Sequence, residues 1–230
     1  MADDFSVMAT SMQADLHKIN AASQNIANVN TPAYKRQVSF SQFLDQSANI
    51  VSSTLIDKTN ASLKLSKSNY DAAITGNGYF LIEKGGDQVV TRNGQFSVDQ
   101  EGYLVGSNDY RVQSVEGDIF VGNDVIEINS KGEIHIDNEY IATIRLIHLS
   151  PAAKLSPAHL NTFHYSAADV VQPNSSTTLV HQGYLENSNV DAREEMLNLV
   201  KTMRHFELQQ KVLRSYNSMI DVGISDLGSF

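Results

Sequence analysis

The residues best suited to chemistry in this 230-residue chain are its seven histidines and 26 carboxylates, because it contains no cysteine. That absence excludes disulfides, thiolate zinc sites, iron–sulfur clusters and a cysteine nucleophile. The histidines, at 17, 135, 148, 159, 164, 181 and 205, form no metal-ligand pattern. His159 and His164 stand five apart without a neighbouring carboxylate cluster, so surface histidines are expected. Gly76-Asn77-Gly78 opens like a dinucleotide loop, but Leu81 stands where the third glycine belongs and a strand follows. A hairpin turn is expected there. Asp99, Glu101, Asp118 and Asp124 lack EF-hand spacing and read as solvated turn residues. No G-x-S-x-G elbow, P-loop or H-E-x-x-H occurs. The chain is therefore expected to be no enzyme and to carry no catalytic, metal or cofactor site. A hydrolase or lyase whose residues converge only in the fold is the weaker alternative.

The elements that would position any site follow from charge and glycine. Net charge is −9, which argues against nucleic acid and anionic membrane surfaces as partners. Residues 1–70 hold six Lys/Arg against five Asp/Glu, residues 71–190 six against fifteen, and residues 191–230 five against six. Near-neutral ends can pack together without mutual repulsion. Glycine is absent from 1–75 and 184–222, and eleven of the thirteen glycines lie between Gly76 and Gly183. Glycine weakens helices and serves tight turns, so helical ends and a turn-rich β middle are predicted. No stretch is long and apolar enough to span a membrane, and no basic n-region or apolar core marks a signal peptide.

Seven-residue spacing organises both ends. Phe5, Met12, Ile19 and Ile26 form one stripe, with Met8, Leu16, Ala22 and Val29 beside it. Asp15 interrupts the apolar pattern. This helix should stop near Asn28–Asn30, because Pro32 biases Thr31 away from helical geometry. At the other end Leu199, Phe206, Leu213 and Ile220 repeat every seven residues, and Met196 and Met203 begin a companion stripe that turns polar at Gln210 and Asn217. Asp191 and Glu194 read as a cap and its box partner, and Gly223 as a stop. Such stripes need burial, either against each other or against neighbouring copies.

The middle reads as hairpins. Tyr79–Ile82 and Gln88–Thr91 flank Gly85-Gly86, and Asn93-Gly94 predicts a turn between Val89–Arg92 and Gln95–Val98. Asp99–Gly102 turns into Tyr103–Val105, and further strands are expected at Val125–Asn129, Glu133–Asp137 and Ile141–Leu149. Residues 37–70 are expected to be an extended or irregular connector. The fold class is α+β: paired, coiled-coil-like terminal helices flanking a central, mostly antiparallel β domain. Its expected divisions are 1–36, 37–70, 71–186 and 187–230.

The stretch Ser23-Gln24-Asn25-Ile26-Ala27-Asn28-Val29-Asn30-Thr31-Pro32-Ala33-Tyr34-Lys35-Arg36 resembles the N-terminal signature of the bacterial flagellar rod and hook family. Asn25, Ala27, Asn28, Thr31, Tyr34 and Lys35 carry the match, while Ala33 stands where the family commonly has glycine. Leu185–Asp191, leading into Glu194-Glu195-Met196, is similar to the approach to the family's C-terminal helix. Asp71–Phe80, Thr91–Gly94 and Val98–Val105 are similar to its β-domain opening, in the family's order. Arg204–Lys211 is most similar to the proximal rod branch, with the distal rod branch as the sibling alternative.

The resemblance implies a structural rod subunit whose partners are copies of itself, other rod and hook subunits and the flagellar type III export apparatus. It implies export without a cleaved signal peptide and a place in the periplasmic rod of the basal body, with no nucleic acid and no membrane insertion. Phe5, Met12, Ile19, Ile26, Met196, Leu199, Met203, Phe206, Gln210, Leu213, Asn217 and Ile220 become the expected assembly interface. A non-flagellar coiled-coil oligomer presenting an acidic β binding domain is the alternative from the residues alone.

Overall fold

The computed structural model describes residues 2–43, 50–159, 161–171 and 178–227, without the side chains of 2–5, 40–43, 50–53 and 220–227. It is an α+β protein in which the paired strands from Leu63 onward run antiparallel. Two compact units divide the chain: residues up to Ala27, Gln37–Leu55 and from Asp191 onward form one, and Asn28–Arg36 with Ile56–Val190 form the other.

Helix α1 (Ala2–Ala27) and helix α2 (Ala192–Leu227) dominate the first unit. The Asp191 carboxylate accepts the backbone N–H groups of Arg193 at 2.9 Å and Glu194 at 3.3 Å, capping α2 where the sequence predicts it. Glu194 and Glu195 occupy the first turn, favourably placed at the positive end of the helix dipole. Gly223 does not end α2. The helix continues through it to Leu227, giving 36 residues and a rod of about 54 Å. One glycine inside a helix costs only about 1 kcal/mol relative to alanine, too little to terminate a long helix whose flanks favour it. The stretch 37–70 supplies the strands Gln37–Phe43, Ile50–Ile56 and Leu63–Leu65, the first two paired with each other.

The second unit is built around the strand Tyr79–Lys84, which pairs with Asp87–Thr91, Arg111–Val112 and Leu146–Leu149. Both faces of this strand are buried. Phe80 and Ile82 join one cluster with Phe96, Leu104 and Ile119, while Tyr79 and Leu81 join a second with Val90 and Phe163. A continuous apolar run is what a strand covered on both sides requires.

Three local expectations give way to longer-range contacts. Asn93-Gly94 makes no hairpin, because Ser97–Val98 pairs onward with Leu104–Val105. Gly94 instead lets the backbone approach Ala72: its carbonyl accepts the Ala72 N–H at 2.9 Å, and an added Cβ would sit 1.6 Å from the Ala72 oxygen. Gly76-Asn77-Gly78 joins strands of different sheets, since Ala72–Thr75 pairs with Leu179–Gln182 and not with Tyr79–Lys84. The expected strand Ile141–Leu149 divides at Ile144–Arg145, where backbone N–H groups turn to Gly132 and Gln113.

Candidate functional site

Two places gather the residues singled out in the sequence. Within the helical unit, α1 and α2 pack against each other in antiparallel register. His205 Nδ1 lies 2.5 Å from Asp15 Oδ2, and Gln209 Nε2 donates to Ser11 Oγ at 2.8 Å, so a step back along α1 matches a step forward along α2. Asp15, which interrupts the heptads, is thus buried opposite a partner 190 positions away, with Lys18 Nζ 3.5 Å from its other oxygen. Extending this register sets Ala2 level with Ser218 and carries Met219–Leu227 past the start of α1.

Burial sorts the expected interface residues. Met12, Ile19, Ile26, Leu199, Phe206, Gln210 and Leu213 are half-buried, whereas Met196, Met203 and Asn217 are exposed. Phe5 and Ile220 lie outside the residues whose side chains are described. The heptad pattern does not reveal the large apolar surface on the outside of α2. Met196, Leu197, Val200, Met203, Leu208, Val212 and Met219 are between 47% and 66% exposed. Helical spacing divides them into two stripes: Met196, Val200 and Met203 on one flank, and Leu197, Leu208, Val212 and Met219 on the other. A companion stripe and a seam have the same seven-residue period, so periodicity alone does not separate them.

Asn25 also belongs to the helical unit. Its side chain donates to the Gln37 carbonyl and accepts the Gln37 N–H, both at 2.9 Å, which ties the last turn of α1 to the first strand. Ala27 is the last residue of α1 and is exposed.

The rest of the motif lies in the β unit. Asn28 Oδ1 accepts the Thr31 hydroxyl at 3.1 Å and its carbonyl accepts the Thr31 N–H, closing the turn after α1. Tyr34 and Lys35 are buried. Lys35 Nζ is 2.8 Å from Glu186 Oε1 and 2.7 Å from the Thr59 carbonyl. The same Glu186 oxygen accepts the Ala61 N–H at 3.0 Å. Arg92 Nε stands 3.2 Å from Glu186 Oε2 as an ion pair, and its other nitrogens donate to Asn60 and to the carbonyls of Gly76 and Gly78.

Each of these charged side chains is at most 2% exposed. Burial pushes the Lys35 ammonium below its ordinary pKa, against the pull of Glu186, and lowers Arg92 in the same way. Burial also raises the Tyr79 phenol beneath the Arg92 guanidinium, 5.5 Å from the ring centroid. Asn189, from the second motif stretch, accepts the Arg36 N–H at 2.6 Å and donates to the carbonyls of Asp57 and Thr59. The motif is therefore a polar joint that fastens 31–36, 57–61 and 183–190 together. Among the described residues, no three His, Asp or Glu side chains are grouped to hold a metal ion.

The comparisons with known proteins agree with this layout. Residues 73–139 match the family model for the flagellar hook protein FlgE/F/G D1 domain, and residues 181–227 match that for the flagellar basal body rod FlgEFG protein C-terminal region. The flagellar basal-body rod protein FlgF of Rhizobium meliloti is 31% identical over 96% of each chain. FlgF of Mesorhizobium japonicum is 25% identical over 100% of this chain and 99% of its own. The rod protein FlgG of Agrobacterium fabrum is 28% identical over 94% of this chain and 96% of its own.

Proposed function

The chain belongs to the flagellar basal-body rod protein family and is a structural subunit of the rod, and on that premise we propose that it polymerises through its two terminal helices. The observation that carries this reading is the pair of exposed apolar stripes on α2. A surface of that extent is unusual on a soluble monomer and suits burial against neighbours. Each fully buried Leu, Val or Met side chain would contribute about 1.5–3 kcal/mol. Two stripes on opposite flanks of one helix accommodate two different neighbours. Such head-to-tail contacts, repeated with a rotation that does not close, build an open helical tube.

Within the tube the helix pair packs in a coiled-coil-like way against neighbouring copies. The subunit is structural and not catalytic, and it takes the FlgF position in the proximal rod, supported by the identity with FlgF and by Arg204–Lys211. It reaches the periplasmic rod through the flagellar type III apparatus, and the net charge of −9 argues against a nucleic-acid partner. Among the described residues no helix is long and apolar enough to cross a membrane.

Leu208→Asp with Val212→Asp tests the reading, because both residues are more than half exposed in the single chain. The double variant should fold normally and lose sedimentable assemblies. Assemblies that form as readily as those of the parent chain would remove the helices as the polymerising device.

A further inference from the structure

With no cysteine in the chain, its six methionines hold all of its sulfur. Met196, Met203 and Met219 are 53%, 47% and 66% exposed along α2, whereas Met8 and Met12 on α1 are half-buried. Met196 and Met203 lie one heptad apart on the first stripe, and Met219 ends the second. Each apolar stripe thus carries at least one thioether that solvent reaches in the single chain and that a packed neighbour would cover.

We propose that Met196, Met203 and Met219 are oxidation sites at which peroxide controls the assembly of this subunit. The proposal rests on the polymerisation reading above. A sulfur lone pair attacks one oxygen of hydrogen peroxide and the O–O bond breaks. The sulfur is oxidised by two electrons to the sulfoxide, and the departing hydroxide takes up the remaining proton as water. The product is a polar, chiral side chain in place of a flexible apolar one. Burying it without a donor for the new oxygen opposes association. Oxidation therefore acts on subunits before they assemble, and a covered stripe excludes the oxidant. The step is reversible by methionine sulfoxide reductases, so the modification delays a subunit without destroying it.

The test treats the purified full-length chain with hydrogen peroxide, maps sulfoxide by peptide mass spectrometry, and measures assembly by sedimentation. Met196, Met203 and Met219 should oxidise at least about threefold faster than Met8 and Met12. Sedimentable material should fall on oxidation and return after sulfoxide reductase treatment. In the variant carrying Met196→Leu, Met203→Leu and Met219→Leu, the amount of sedimentable material, whatever its untreated level, should no longer fall on peroxide treatment. Equal rates at all five methionines, or undiminished assembly of the oxidised parent chain, would overturn the proposal. An untreated parent chain that never assembles would instead defeat the polymerisation reading, and the proposed switch with it.

Discussion

Around Glu186 the buried Lys35 and Arg92 are each opposed by its carboxylate, whereas along α2 seven Leu, Val and Met side chains, from Met196 to Met219, face outward from the single chain. The joint of the β unit pairs its charges internally: Glu186 faces both Lys35 and Arg92, and the two cations also donate to the carbonyls of Thr59, Gly76 and Gly78, while Glu186 Oε2 meets Arg92 as an ion pair without a hydrogen bond. The helix pair sets Asp15 against His205 at its inner seam and leaves its outer surface unfinished. The contrast separates two uses of motif residues. Tyr34 and Lys35 serve the fold of one subunit, and the apolar stripes of α2 suit contacts between subunits.

The largest effect expected on the single chain is at the joint. Glu186→Gln keeps the shape and removes the negative charge, leaving Lys35 and Arg92 buried together with only the weaker influence of Asp57 on Lys35 as a counter-charge. Breaking a buried pair in this way costs about 3–5 kcal/mol, which denaturant unfolding of the β unit should show. A loss below about 1 kcal/mol would mean that water reaches the joint and that it is less closed than its geometry.

A smaller loss is expected at the helix seam. Asp15→Ala strips the His205 and Lys18 contacts from a buried position and should destabilise the helix pair by about 1–3 kcal/mol. Amide exchange should quicken along α1 and α2 while the β unit keeps its protection. Equal quickening in both units would dissolve the distinction between them.

The helices were largely legible because seven-residue spacing and missing glycines are local signals. The Asp191 cap was legible for the same reason. Asp15 could be seen only as a misfit, since its partner His205 lies in the other helix. Lys35 and Glu186 both fall in recognisable stretches, yet nothing local pairs residues 151 positions apart. Gly94 misled because a turn signal and a close backbone approach call for the same residue, and here Ala72 decided it. Met196 and Met203 share the period of the seam, and only burial shows that they stand outside it.

The smallest effect sits inside the joint itself. Ala33 is buried with φ +55°, a left-handed conformation, and its N–H is fixed to the Glu186 carbonyl at 2.8 Å. That backbone costs a non-glycine residue about 1–2 kcal/mol. Ala33→Gly relieves the strain but frees the unfolded chain, at a cost of about 0.4–1 kcal/mol. The two terms leave a net gain between zero and about 1.6 kcal/mol, small enough to require a thermal-unfolding comparison under identical conditions. A lower melting temperature in the glycine variant would mean that the alanine methyl packs well enough to outweigh its strain. The joint would then be closed by apolar packing at this point as well as by charge, which would sharpen its contrast with α2.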